Sequence, residues 1–374
     1  MRPANSWRRA AHHSRAGVDN QPEGPQAGPM RSPPAARPGP RNLITDVPGL
    51  KIGQAHSAAA RSGVTVILPD ARAVCAGDVR GGGPGTRETD ALAPENLVDA
   101  VDAVVLSGGS VYGLAAADGV AAWMGAQGRG FVVTTAPGAP PSPVIPAAIL
   151  FDLANGGDKA WGLDPPYRAL GIEAAEAAGL DFALGAFGAG YGAMAGSLKG
   201  GVGSASVIAA DGLTVGALAA VNSWGSAVAG DGRTFWAAPY EIGGEFGGLG
   251  SVGLHAAPED WGLAKPAAEP RANTTIACVA VDAALTPAQA RRVAVMAQDG
   301  LARALRPAHA PFDGDVVFAL STAARPLPDP PAFAVARIGV LAADCLARAV
   351  ARAVYEAGPW PDAPVRCWRD LPEA

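Results

Sequence analysis

Periodic apolar positions begin near Asn42. Leu43 to Ile52 reads as a strand, a turn at Asp46-Val47-Pro48-Gly49, and a second strand. The β-branched run Gly63 to Leu68, closed by Pro69-Asp70, predicts a strand, and Arg80 to Arg87 predicts a loop. Asp102 to Leu106 is a short buried strand that runs into Ser107-Gly108-Gly109-Ser110, and Val111 to Met124 follows as a helix of small residues. Ile149 to Leu153 is strand-like, and Tyr167 to Ala178 has helical character. Ser204–Ala209 and Thr214–Val221 flank Asp211-Gly212 and predict a hairpin. Residues 224–270 carry Gly, Pro and Trp without a period, which predicts an extended, exposed loop. The pattern resets at Asn273. Thr274 to Val281 is a strong strand, and Thr286-Pro287 supplies the N-cap and first position of a helix that runs to about Ala304. Asp315 to Leu320 is a further strand, and a last helix covers about Ala336 to Ala357. Strands and helices alternate, but several strands are joined by hairpins. A layered α/β fold with a mixed or antiparallel sheet fits this order better than a doubly wound one.

Composition narrows the classes. The 374 residues allow one large domain or two ordinary ones. With 49 Gly and 34 Pro, many tight turns and close backbone approaches are expected. A net charge of −5 offers no basic face for nucleic acid. No apolar run reaches the roughly 18 to 20 residues of a membrane helix, so no membrane partner is expected. Cys75, Cys278, Cys345 and Cys367 are scattered, without a CxxC pair. Reduced thiols and a cytoplasmic setting are therefore the expectation. Residues 1–41 are rich in Pro and Arg and are expected to be a disordered tail without a secretory signal, or to lie partly ahead of a translation start at Met30. Residues 42–374 are expected to form one domain.

Most familiar catalytic signatures are missing. Gly108 to Gly113 follows a strand and opens a helix, but it lacks the GxGxxG spacing and a neighbouring basic residue; no Walker A pattern occurs. Backbone N–H groups of Gly108 and Gly109 facing a substrate oxygen, or a simple close turn, are the readings left for it. The five histidines show no metal-ligand spacing beyond the His12-His13 pair, so neither metal nor cofactor is expected. No GxSxG elbow is present for a Ser-His-Asp triad. An N-terminal Thr, Ser or Cys offers another route, because its own α-amine serves as the base and titrates near about 7.7–8.0. Asn273-Thr274-Thr275, at the head of a strand after a long loop, suits that chemistry. It also reads as a glycosylation sequon, or as β-propensity alone.

Several blocks decide between these readings. They are Asp46 to Gly49, Gly81 to Thr89, Leu106 to Ser110 with Tyr112 to Leu114, Pro146 to Asp152, Gly190 to Gly201 around Lys199, Asn222, Asn273 to Thr275, and Asp313-Gly314-Asp315. In this order, over about residues 42–357, the chain resembles the DmpA-type N-terminal-nucleophile aminopeptidases and the related nylon-oligomer endohydrolases. The resemblance implies a four-layer αββα sandwich, shared with ornithine acetyltransferases. It implies self-cleavage into residues 1–273 and 274–374, and a homotetramer of such two-chain units. It assigns Thr274 as nucleophile and Asn222 as oxyanion donor, and sets Lys199, Asp313 and Asp315 around the nucleophile. A small peptide or amide is the implied substrate. Thr274 matches the threonine of the nylon-oligomer branch and not the serine of the aminopeptidases. Phe151 stands where some members carry an active-site tyrosine, which removes a hydroxyl from the substrate-binding wall.

Each assigned residue also has a plain structural reading: a turn asparagine for Asn222, a solvated loop lysine for Lys199, and an Asp-Gly turn for Asp313 to Asp315. Two competing readings keep the same fold: an ornithine acetyltransferase-like acyltransferase that passes the acyl group to an amine, and a non-catalytic scaffold.

Overall fold

The computed structural model describes residues 36–266 and 273–372. The strands are β1 (Leu50–Ser57), β2 (Ser62–Pro69), β3 (Val74–Val79), β4 (Thr86–Arg87), β5 (Val104–Ser107), β6 (Ala147–Ile149), β7 (Met194–Ala195), β8 (Leu198–Lys199), β9 (Gly201–Ile208), β10 (Thr214–Asn222), β11 (Thr274–Ala283) and β12 (Val316–Arg325). The helices are α1 (Ala115–Ala126), α2 (Tyr167–Glu176), α3 (Pro287–Ala304) and α4 (Pro331–Tyr355).

Two mixed five-stranded sheets form, in the orders β1-β2-β5-β6-β4 and β3-β12-β11-β10-β9. Their cores follow from strand alternation, because neighbouring side chains point to opposite faces. In β11, Ile276, Cys278 and Ala280 enter the core between the sheets. Ala277, Val279 and Val281 enter the core against α3 and α4. On the other sheet, Ile67 and Leu106 face the inter-sheet core, while Val64, Val66 and Val105 pack with α1 and α2. Each sheet is thus buried on both faces, and the layers run helix, sheet, sheet, helix. This is the expected αββα sandwich.

Helix α3 starts as the sequence indicates. Thr286 Oγ1 accepts from Gln289 N–H, and the Gln289 side chain returns to the Thr286 N–H, closing a capping box. Antiparallel β9 and β10 make the expected hairpin.

Other segments differ from the reading. Leu43 to Asp46 is no strand: Ile44–Asp46 is a 3₁₀ turn, because the Asp46 carboxylate takes the Arg41 and Leu43 N–H groups and the Ser206 hydroxyl. Strand β3 is hidden in the sequence by buried Asp78, whose charge is met by Arg80 and Arg291. Residues 224–238 are not an exposed loop. Trp224, Val228, Phe235 and Trp236 are buried, and Phe235 stacks on Trp368 with ring centroids 5.3 Å apart. Backbone pairing starts ahead of Asn42, with an Arg37–Ile208 bridge; residues 1–35 of the expected tail lie outside the described residues. The four cysteines are buried and unpaired. Among the described residues, no helix is long and apolar enough to cross a membrane.

Candidate active site

The C-terminal end of β10 and the N-terminal ends of β11 and β12 meet at one edge of their sheet. β10 and β11 are antiparallel and place Asn222 opposite Thr274. β11 and β12 are parallel, and the pairing continues outward as a bridge between Asn273 and Asp313. Topology therefore gathers Asn222, Asn273, Thr274, Asp313 and Asp315 from three stretches that lie far apart in sequence. All five are buried.

The Asn273–Thr274 peptide is held closely. The Thr274 hydroxyl donates to the Asn273 carbonyl oxygen. The same oxygen accepts the Gly314 N–H at 2.9 Å. Gly314 has to lack a side chain: a Cβ there would lie 2.7 Å from Thr274 Oγ1 and 2.8 Å from the Gly83 carbonyl oxygen.

Asn222, paired with Thr274 in the ladder, reaches the loop that follows β6. Its amide donates to the Phe151 carbonyl at 2.9 Å, and its carbonyl accepts the Met194 N–H at 2.9 Å. It is part of a wall, not a plain turn residue.

The two acids are anchored by backbone donors. Asp315 accepts from Thr275 N–H at 2.7 Å and from His309, through the backbone N–H at 3.1 Å and through Nδ1 at 2.8 Å. Asp313 accepts from Trp224 N–H at 3.2 Å and Ala310 N–H at 3.1 Å. Burial, and then the charge of Asp315, push the Asp313 carboxyl up to about 6. Asp315 thus fixes Thr275, next to Thr274, while Asp313 ties Trp224 and Ala310 to the start of β12.

Lys199 is buried, not solvated. Its ammonium donates to the Gly200, Ala193 and Gly190 carbonyls at 2.8, 3.0 and 3.3 Å and lies 5.2 Å from the Trp360 ring centre. Burial brings its pKa down to about 7. These bonds go to the glycine-rich loop and not to Thr274. Lys199 shapes the loop whose Met194 N–H holds Asn222.

A cavity of about 520 Å³ opens at this edge, with Phe151, Asp152, Asn222, Lys265, Asn273 and Trp360 among its walls. Phe151 lines it. Gly108 and Gly109 do not line it, which corrects their expected substrate role. The Gly108 N–H is taken by the Gly63 carbonyl at 2.9 Å, and the Gly109 N–H by Asp152 at 2.7 Å. Gly109 has φ +83°, and a Cβ would run into the Tyr167 ring. The glycines serve Asp152, whose carboxyl is pushed up to about 6 by burial.

Sequence reasoning passed over Lys265, His309, Asp152 and Trp360. Asp152 stood inside a quoted block, and Lys265 is an isolated lysine in a Gly- and Pro-rich stretch. His309 and Trp360 carried no local signal. No group of three or more His, Cys, Asp or Glu with metal-site geometry occurs among the described residues.

The comparisons agree on family. The profile of peptidase family S58 matches residues 42–363. An uncharacterized aminopeptidase of Mycobacterium tuberculosis is 44% identical over 354 residues, covering 88% of this chain and 98% of the relative. A 6-aminohexanoate-oligomer endohydrolase of Agromyces sp. is 28% identical over 312 residues, covering 82% of each. Among solved structures, a Burkholderia sp. beta-aminopeptidase superimposes with a TM-score of 0.64 at 22% identity, covering 87% of this chain and 90% of the other. The L-aminopeptidase D-Ala-esterase/amidase of Ochrobactrum anthropi, described as a variant of the Ntn hydrolase fold, gives a TM-score of 0.64 at 21% identity, covering 89% and 91%. These two share the fold. With the profile spanning most of its length, the chain belongs to peptidase family S58 and is a hydrolase of peptide or related amide bonds.

Proposed function

We propose that the chain cuts itself between Asn273 and Thr274, and that the freed Thr274 is the nucleophile of an aminopeptidase or oligoamide hydrolase. The observation that carries this reading is the contact of the Thr274 hydroxyl with the carbonyl it would attack, whose oxygen already accepts the Gly314 N–H.

In self-cleavage, Thr274 Oγ1 adds to the Asn273 carbonyl carbon. The C–N bond breaks, the nitrogen takes the hydroxyl proton, and an ester joins Asn273 to Thr274 Oγ1. Water hydrolyses that ester, leaving a carboxylate on Asn273 and a free α-amine on Thr274. An external amide follows the same route. The Thr274 α-amine takes the Oγ1 proton as Oγ1 attacks, then gives it to the leaving amine; water releases the acyl group. The tetrahedral oxyanion needs donors at about 2.7–3.1 Å. Gly314 N–H supports this role in self-cleavage, and the Asn222 amide, opposite Thr274, supports it for the substrate. Association of the two-chain units into a homotetramer belongs to the same reading.

The test is turnover of an aminoacyl p-nitroanilide with and without a competing amine. Release of the free amino acid in both cases supports hydrolysis. Acyl transfer to the added amine as the main product would replace it with an acyltransferase.

A further inference from the structure

The cavity contains a lysine that the mechanism above does not use. Lys265 Nζ donates to Asn273 Oδ1 at 2.7 Å, and both residues line the cavity. The contact is partly buried. On the other side of the same carboxamide, Asn273 Nδ2 is buried without a hydrogen-bond partner among the described residues. The cleft therefore reads the acceptor end of this side chain and ignores its donor end.

Lys265 is fixed independently of Asn273. Its backbone N–H donates to the Trp224 carbonyl at 3.0 Å, and the preceding Leu263 carbonyl accepts from Ser197 through its N–H at 2.8 Å and its hydroxyl at 3.0 Å. Trp224 is in turn tied to Asp313. Departure of Asn273 after a cut leaves these backbone bonds in place, so Lys265 keeps its place in the wall.

Self-cleavage and substrate turnover pass through the same kind of intermediate, an ester on Thr274 Oγ1. In the first, the acyl group is Asn273 with the chain ahead of it. In the second, it is the acyl-side residue of the substrate. One oxygen bears both esters, so both acyl groups occupy one place. We infer that Lys265 is a specificity residue for the acyl side of the substrate, and that it selects an acyl residue whose side chain offers an amide or carboxylate oxygen where Asn273 Oδ1 lies. This rests on the reading of Thr274 as the nucleophile of both reactions. The substrate class it names is a peptide or amide with Asn or Asp on the acyl side of the cut bond, in preference to a purely apolar residue. A carboxylate turns the bond into an ion pair and brings no orphan donor.

The test uses processed protein and p-nitroanilides of Asn, Asp and Leu, each with a free and an acetylated amine. The ratio of kcat/KM for Asn or Asp over Leu is expected to exceed one. It should fall about tenfold or more in Lys265→Met, the size of a lost hydrogen bond to a charged group, while Lys265→Arg keeps most of it. A second readout needs no external substrate: Asn273→Asp should self-process near the parent rate, and Asn273→Leu about tenfold more slowly. Equal ratios in parent and Lys265→Met, with equal processing of the two Asn273 variants, would overturn the assignment. If processed parent protein hydrolysed none of the anilides, the hydrolase reading itself would fall, and the inference with it.

Discussion

Asn222 and Thr274 stand opposite each other as a pair of the β10–β11 ladder, and Asn222 also reaches the Phe151 carbonyl in the loop that follows β6. The residue beside the nucleophile is thus pinned from two sides. A donor held this way needs little reorganisation when charge develops on a substrate oxygen.

Asn222→Ala should therefore lower kcat more than it raises KM. Loss of one oxyanion donor costs roughly 10²–10³-fold. Steady-state kinetics on fully processed protein checks this. An unchanged kcat would leave Asn222 as a structural link to the Phe151 and Met194 loops only.

The acidic limb of the kcat/KM profile should report Asp313. Its carboxyl is held up at about 6 by burial and by the neighbouring Asp315 charge. On the proposed mechanism the charged form supports the Thr274 amine, so activity should rise as pH passes upward through that value. Asp315→Asn removes the like charge, lowers the Asp313 pKa, and should move the limb to lower pH. Asp313→Asn should abolish this limb and reduce the rate. Profiles superimposable on the parent would remove both acids from the chemistry.

Lys199 gives a pH signature in stability. In the folded chain its pKa is down at about 7, through burial. In the unfolded chain it returns to about 10.4. Between those values the unfolded chain binds the extra proton, so this residue's contribution to stability rises with pH. Urea unfolding of Thr274→Ala with and without Lys199→Met, at pH 7 and pH 9, isolates the effect. The Lys199 protein should gain on the Met variant by up to about 1.4 kcal/mol per pH unit. A difference independent of pH would contradict the buried, titrating lysine.

Gly314→Ala should slow self-cleavage by about 10²-fold, the order expected when a reacting group is displaced by around an ångström. The added carbon would lie 2.7 Å from Thr274 Oγ1. The processed fraction against time, by denaturing electrophoresis, is the readout.

Much of this edge was legible because it is written in strand boundaries. Thr274 begins β11, Asn222 ends β10, and Asp313-Gly314-Asp315 leads into β12. The failures have physical causes. Asp78 is a buried charge met by Arg80, two residues on, and by Arg291 of α3, and so it masked β3. The 224–238 segment is buried by aromatic partners at Trp368, more than a hundred residues away. The glycines at 108 and 109 were given to the substrate, whereas Asp152 takes the Gly109 N–H. Lys265 and His309 act through partners that only the fold brings close.

The central claim is that one hydroxyl performs both the cut and the turnover. Intact mass and N-terminal sequencing of purified parent and Thr274→Ala protein test it most directly. The account predicts two chains for the parent, the second starting at Thr274 and running to Ala374. It predicts one uncut, inactive chain for Thr274→Ala, with Thr275→Ala cut as the parent. Cleavage of Thr274→Ala at the same bond, or full activity in a parent chain that stays whole, would contradict it.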